Sequence, residues 1–189
     1  MSQRRSWRGC AFIAMSLDGY IARADGFLDW LTDPPQREHC AIPCSIPAQV
    51  WDTFFPEVDA VVMGRVTYQS VLGFAEWPFA DKAVIVLSST LAEADPRVAL
   101  ASSIDELQRL LAEVGASRVY IDGGRTITSV LAHGLVDELT VAIAPVLLGG
   151  GIRLFGELDA EVLLTLRGTH AIAETGLVAI TYDVSAAVE

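Results

Sequence analysis

Three short segments of this chain set small residues beside hydroxyl or cationic side chains at the end of an apolar run. In Val119-Tyr120-Ile121-Asp122-Gly123-Gly124-Arg125-Thr126 a strand-like run meets two glycines, and a helical pattern follows at once. Glycines there let the backbone turn sharply and approach a ligand closely. The free N–H groups of a helix start suit a phosphate or pyrophosphate. Val61-Val62-Met63-Gly64-Arg65-Val66-Thr67-Tyr68 repeats the arrangement with one glycine. The helix dipole disfavours a cation at that position, so Arg65 is better explained as the holder of an anion, its planar fork matching phosphate. Leu87-Ser88-Ser89-Thr90 closes a third run with hydroxyls that can bond a ribose or phosphate, or simply complete a turn. Taken singly, each segment also reads as a tight turn or a surface arginine. Ligands of open α/β sheets bind at the carboxyl ends of strands, so the three together point to a nucleotide site.

A fourth segment, Ala14-Met15-Ser16-Leu17-Asp18-Gly19-Tyr20-Ile21 followed by Asp25-Gly26-Phe27-Leu28-Asp29-Trp30, contains two Asp-Gly turns and aromatic side chains. Such a segment can close over a ring, or it is two plain turns. Asp122 can accept a hydrogen bond from a ring N–H or amino group, or it caps the following helix. The proton donor stays open among Asp18, Asp29, Asp33 and Asp122. The chain has no P-loop, G-x-S-x-G or H-E-x-x-H motif. Lys82, its one lysine, follows Asp81, a poor setting for Schiff-base chemistry. His39, Cys40 and Cys44 are not matched by a second ligand cluster, so no metal site is expected.

Strand and helix patterns alternate, which predicts an α/β fold. Strands are expected at Cys10–Met15, Ala60–Met63, Ala83–Leu87, Arg97–Ala101, Arg118–Ile121 and Leu139–Val146. A closing hairpin is expected from Val162–Ala173 and Leu177–Val184, turned at Glu174-Thr175-Gly176. Helices are expected at Pro47–Phe54, with Ser45 as cap, and at Val66–Leu72, Ser103–Val114 and Thr126–Ala132. Ser103 and Glu106 form a capping-box pattern, and Gly115 is a stop signal. Arg23–Ile46, rich in Pro and Asp, reads as a functional loop. Residues 1–8 read as a flexible basic tail and 9–185 as one domain.

Of 189 residues, 24 are acidic and 13 are Lys or Arg, a formal net charge of −11 that argues against general nucleic-acid binding. The apolar fraction of 52% excludes global disorder. Mean hydropathy is +0.41, yet the longest apolar stretch, Val136–Leu148, is interrupted by Asp137, Glu138 and Pro145, so no membrane span is expected. Three cysteines do not make a disulfide scaffold. The apolar patch after Arg4, Arg5 and Arg8 is short for a signal peptide, and a cytoplasmic location is expected.

In order, these motifs resemble the dihydrofolate reductase superfamily over about Cys10–Val184, and most closely the C-terminal reductase domain of riboflavin-biosynthesis proteins and its stand-alone relatives. Met63-Gly64-Arg65-Val66-Thr67-Tyr68 is similar to M-G-R-x-T-[WY], Leu87-Ser88-Ser89 to L-S-[SR], and Ile121-Asp122-Gly123-Gly124-Arg125 to I-G-G-G-[RS]. Pro145 to Gly151 is similar to the P-x-x-x-G-G loop of the riboflavin branch. The resemblance implies one domain with a mixed, mainly parallel sheet, flanking helices and a C-terminal β-hairpin. It implies NADPH held by Ala14, Trp30, Gly64, Arg65, Thr67, Leu87, Ser88, Ser89, Gly123, Gly124, Arg125 and Thr126. Asp18, Asp29, Asp122, Gly149 and Gly150 would contact a small-molecule substrate, with Asp29 and Asp122 as the catalytic carboxylates. A homodimer is implied as well.

Two departures bear on the substrate. Folate reducers grip the pterin with an acidic residue on the helix after the active-site loop, but here Asp33-Pro34-Pro35 breaks that helix among Asp29, Asp33 and Glu38. The riboflavin branch grips a ribose phosphate with basic residues on the next helix, but from Glu38 to Gly64 there is no Lys or Arg. The expectation is therefore an NADPH-dependent reductase of an unphosphorylated heterocycle. Two alternatives are a riboflavin-pathway reductase in which Arg153 or Arg37 takes the phosphate, and a non-catalytic nucleotide-binding protein.

Overall fold

The computed structural model describes residues 5–32, 49–172 and 175–185. Its main sheet has eight strands: β1 (Arg8–Ser16), β3 (Ala60–Gly64), β4 (Ala83–Leu87), β5 (Val98–Ala101), β6 (Arg118–Asp122), β7 (Glu138–Ala144), β9 (Leu164–Ile172) and β10 (Leu177–Val184). They lie in the order β5-β4-β3-β6-β1-β7-β10-β9. The first six run parallel, and β10 is antiparallel to both β7 and β9, closing the sheet with a hairpin. The small strands β2 (Tyr20–Ala22) and β8 (Ile152–Arg153) pair separately.

Apolar runs covered on both faces explain the parallel strands. Cys10, Val61, Met63, Val86 and Tyr120 pack on one face under α2 (Trp51–Phe54) and α3 (Arg65–Leu72). Ala11, Val62, Ile85 and Ile121 pack on the other under α4 (Ile104–Glu113) and α5 (Gly124–Ala132). Leu107 and Leu111 of α4, one turn apart, are fully buried. Ser103 caps α4, its Oγ accepting from the Glu106 N–H at 3.2 Å. The return arm of the expected capping box falls one residue early, with the Glu106 carboxylate accepting from Ser102 N–H at 2.9 Å and Ser102 Oγ at 2.8 Å. Gly115, at φ 66°, ends the helix turn as expected.

Several bounds differ from expectation. β7 stops at Ala144 because Pro145 follows it. The helix expected over 47–54 begins outside the described residues, and from 49 onward α2 is a single turn that tightens into a 3₁₀ turn at Phe55–Glu57, where Pro56 sits. A helical turn, α1 (Asp29–Thr32), lies inside the segment read as loop. The chain is engaged ahead of residue 9: Trp7 is in the core, and the Arg5 guanidinium lies 4.7 Å over its ring and pairs with Asp137. The expected turn at 174–176 lies partly outside the described residues.

At the amino edge of the sheet, Glu138 is buried among Arg118, Arg8 and Arg167, at 3.0 and 3.4 Å for the first two. Asp183 joins Arg8 at 3.1 Å, and Glu57 joins Arg118 at 3.1 Å. The cluster ties the starts of β1, β6 and β7 to the closing hairpin. No helix among the described residues is long and apolar enough to cross a membrane.

Candidate active site

The carboxyl ends of six parallel strands share one edge, and two of them run directly into helices. β3 ends at Gly64 and α3 begins at Arg65, while β6 ends at Asp122 and α5 begins at Gly124. β3 and β6 are neighbours, with Met63 paired to Asp122, so the two helix starts stand side by side. Their caps, Gly64 and Gly123, carry no side chain to accept from the first N–H groups, unlike Ser103 on α4. A helix start left this way presents its donors outward, toward an anion.

The close approach explains the glycines. A Cβ on Gly64 would stand 2.7 Å from Thr126 Oγ1, and one on Gly123 would stand 2.5 Å from Thr67 Oγ1. Each threonine thus fills the space that the opposite glycine vacates. Gly123 also has φ 88°, which L residues avoid. Gly124 is pressed by the end of β8, a Cβ there lying 2.8 Å from the Leu154 carbonyl. The nucleotide-type residues Gly64, Arg65, Thr67, Gly123, Gly124, Arg125 and Thr126 are therefore brought together. Arg65 and Arg125 are exposed at the two helix starts, and Arg65 makes one long bond, 3.4 Å, to Gln69. Leu87 pairs with Gly64 one strand over, and Ser88 and Ser89 follow it on the same edge. Ser88 Oγ accepts from the N–H groups of Thr90 at 3.3 Å and Leu91 at 3.1 Å, so it completes a turn in this structure.

On the far side of β6, β1 brings Ala14 opposite Ala142 of β7. The loop beyond β1 is laced to the loop beyond β7. Ser16 Oγ donates to Asp18 at 2.6 Å, and Asp18 accepts from the N–H groups of Leu148 at 3.1 Å and Gly149 at 2.7 Å. These bonds, the Ser16 hydroxyl first, pull the Asp18 carboxyl down to about 2. Asp18 thus orients the Gly149-Gly150-Gly151 loop, and Gly149 and Gly150 are exposed on it. Leu154 N–H donates to the Gly19 carbonyl at 3.0 Å. Arg153 lies 4.9 Å over the Tyr20 ring and donates to its hydroxyl at 3.3 Å.

The other carboxylates separate. Asp29 is exposed and bound by both arms of Arg23, at 2.7 and 3.0 Å, whose bonds lower its pKa. Its neighbour Trp30 is buried. Asp122 sits at the head of β6 between the two helix starts. It does not cap α5: its Oδ1 accepts from Gly123 N–H at 2.8 Å, and Gly123 is itself the cap. Crowding by protein atoms pushes the Asp122 carboxyl up, against the lowering bonds from Gly123 and the Tyr120 hydroxyl. Tyr120 is the residue the motif reading passed over. Strand alternation puts it two residues before Asp122 on the same face, a signal already present in the sequence. Asp33, Arg37, Glu38, His39, Cys40 and Cys44 lie outside the described residues. Cys10 is buried in the core, and burial pushes its thiol up to about 11.

Comparison with known proteins agrees with this architecture. The chain is similar to the uncharacterized protein YwjB of Bacillus subtilis, 33% identical over 168 residues that cover 86% of this chain and 91% of YwjB. It is similar to a crystal structure from Shewanella sp. PV-4 provisionally assigned to riboflavin biosynthesis, at TM-score 0.79 and 34% identity, covering 94% and 99% of the two chains. Dihydrofolate reductase from Enterococcus faecalis, complexed with NADP(H), shares the fold at TM-score 0.61 and 14% identity, covering 94% and 96%. The RibD C-terminal domain family matches residues 9–178, and this chain belongs to that family.

Proposed function

We propose that the protein is an NADPH-dependent reductase that delivers hydride to a small, unphosphorylated heterocycle of pterin or pyrimidine type. The observation that carries this reading is the pair of glycine-capped helix starts, α3 and α5, side by side at the carboxyl edge with Arg65 and Arg125 exposed beside them. Their N–H groups suit a pyrophosphate. The Arg65 fork suits the extra phosphate that separates NADPH from NADH. The NADP(H) complex of a protein with this fold supports the same cofactor class.

When bound, NADPH supplies the hydride, and the chain binds, orients and excludes water. Gly64 and Gly123 admit the cofactor backbone closely, and Trp30 walls the nicotinamide side. Asp122, beside this cradle, accepts a ring N–H or amino group. Its raised pKa keeps a proton on the carboxyl to higher pH than an ordinary aspartate, which suits it to proton delivery. Asp29, exposed and held by Arg23, is the weaker candidate for catalysis. The basic-free stretch from Glu38 to Gly64 favours a substrate without a phosphate. Fluorescence titration of the full chain with NADPH tests the reading: saturable binding supports it, and no binding at about 1 mM, where affinity is only about −4 kcal/mol, overturns it.

One observation favours a second reading, reduction of a ribosylaminopyrimidine 5′-phosphate: Arg153 is exposed at the rim beside Gly149–Gly151. Complementation of a strain lacking that reductase separates the two. Cofactor binding without turnover of any pterin or pyrimidine acceptor would instead favour a non-catalytic nucleotide-binding role. A homodimer in the cytoplasm completes the proposal. The edge strand β9 exposes Leu164 and Leu166, 43% and 53% accessible, which a second copy would cover. A 20.3 kDa particle by light scattering at micromolar concentration would overturn the dimer.

A further inference from the structure

Three successive residues of one turn hold the chain beyond β7 on both sides of β8. Leu17 N–H donates to the Val146 carbonyl at 2.9 Å. The Asp18 carboxylate accepts from Leu148 N–H at 3.1 Å and from Gly149 N–H at 2.7 Å. The Gly19 carbonyl accepts from Leu154 N–H at 3.0 Å. The turn is braced from within as well. Gly19 N–H donates to the Ser16 carbonyl at 2.9 Å, and the buried Ser16 Oγ donates to Asp18 and accepts from Tyr20 N–H, also at 2.9 Å. Between the two holds lies β8, which pairs with β2 through only two rungs, Tyr20 with Arg153 and Ala22 with Ile152. A ribbon that short has little stability of its own, so its place is set by what holds its ends.

That place matters at the start of α5. A Cβ on Gly124, the first residue of the helix, would meet the Leu154 carbonyl oxygen at 2.8 Å, the Arg153 carbonyl oxygen at 3.0 Å and Ile21 Cδ1 at 3.0 Å. Gly151 lies as close to β2, a Cβ there standing 2.2 Å from the Ala22 carbonyl oxygen. Backbone contact thus runs without a gap from the Asp18 turn through the ribbon to α5. We infer that Asp18 is a positioning residue: by pinning the ribbon of β2 and β8 against Gly124, it sets the direction of the first N–H groups of α5. This rests on the reading of that helix start as the cofactor's phosphate site. Three donors occupy the Asp18 carboxylate, Ser16 Oγ and Leu148 N–H on Oδ1 and Gly149 N–H on Oδ2. A carboxylate engaged in this way suits a brace better than a proton donor or a substrate contact.

The test compares Asp18→Ala with the wild type, as full chains, by amide NMR and by cofactor titration. The Gly124 and Arg125 amide resonances should move in the variant, while those of Asp105 and Glu106 at the start of α4 stay in place. Kd for NADPH and Kd for NADH should rise together by about fivefold, the scale on which one lost hydrogen bond acts through a packed neighbour. Their ratio should hold, because Arg65 is untouched. A merely stabilising aspartate would lower Tm and leave both constants where they were. Should Asp18→Ala fail to fold, Asp18→Asn serves in its place: it keeps the shape but sets an amide donor against a backbone N–H, and the same shifts are expected. Unmoved Gly124 and Arg125 resonances in the folded variant, or cofactor constants that stay unchanged or change for NADPH alone, overturn the inference. The two readings fail separately: if the wild type binds neither cofactor the reductase reading falls, and the amide resonances alone then decide the brace.

Discussion

A single methyl group at Gly64 should disturb both stability and cofactor binding, and a second substitution should reverse the damage. Gly64 has φ −83°, so alanine is tolerated by the backbone and the cost is steric alone. Its Cβ would lie 2.7 Å from Thr126 Oγ1, where ordinary van der Waals contact begins at 3.4 Å. Thr126 is 5% exposed and β-branched, so it has little room to rotate away. Overpacking of this kind costs about 2 kcal/mol, which for a chain of this length lowers Tm by roughly 4–8 °C. Thr126→Ala removes the clashing oxygen. The double variant Gly64→Ala/Thr126→Ala should therefore recover most of the loss, with a coupling of about 1 kcal/mol or more in the cycle. Thermal melts and NADPH titrations of the four proteins provide the readout. An unchanged melt and unchanged affinity in Gly64→Ala, or a double variant no better than the single, would refute the interlocking of the two helix starts. Gly123→Ala should be worse than Gly64→Ala, since φ 88° adds strain on the order of 1–3 kcal/mol to a clash of 2.5 Å.

The amide shifts of Leu148 and Gly149 should report the Asp18 carboxyl. Because its folded pKa is depressed to about 2, its bonds are intact above the ordinary carboxylate value and are lost as pH falls through about 2. A shared midpoint near 2 is expected in an amide NMR titration, and one near the ordinary aspartate value of 3.8 would contradict it. Glu138→Ala should strand three arginines at the amino edge and cost about 3 kcal/mol, or roughly 6–12 °C in Tm. Its NADPH affinity should match the wild type, because the cluster lies at the opposite end of the strands from the cradle.

What the sequence disclosed was local. β3–α3 and β6–α5 were readable because an apolar run, a glycine and a helical period follow one another within a dozen residues. α4 was readable for the same reason, its cap and its Leu107–Leu111 pair lying within ten residues. The strand β8 escaped because two residues carry no period, and it exists only through pairing with Tyr20–Ala22. Asp18 read as a candidate proton donor because two of its three partners, the N–H groups of Leu148 and Gly149, lie 130 and 131 positions away. Glu138 looked like an interruption of an apolar strand because Arg8, Arg118 and Arg167 converge on it only after the sheet has formed. Asp29 and Asp122, alike as side chains, part company in the fold: one pairs with Arg23 in solvent, the other lies between two helix starts beside a buried phenol.

The proposed phosphate cradle is made by two glycine-capped helix starts with Arg65 exposed beside them. The most direct measurement is a parallel titration of wild type and Arg65→Ala with NADPH and with NADH. Tight NADPH binding is expected in the wild type, with weak NADH binding and an Arg65→Ala variant that binds both at the NADH level. That loss should be about tenfold or more, the worth of a charge-assisted contact to phosphate. Equal binding of NADPH and NADH by the wild type, or no binding of either, would contradict it and return Gly123-Gly124 to an ordinary turn.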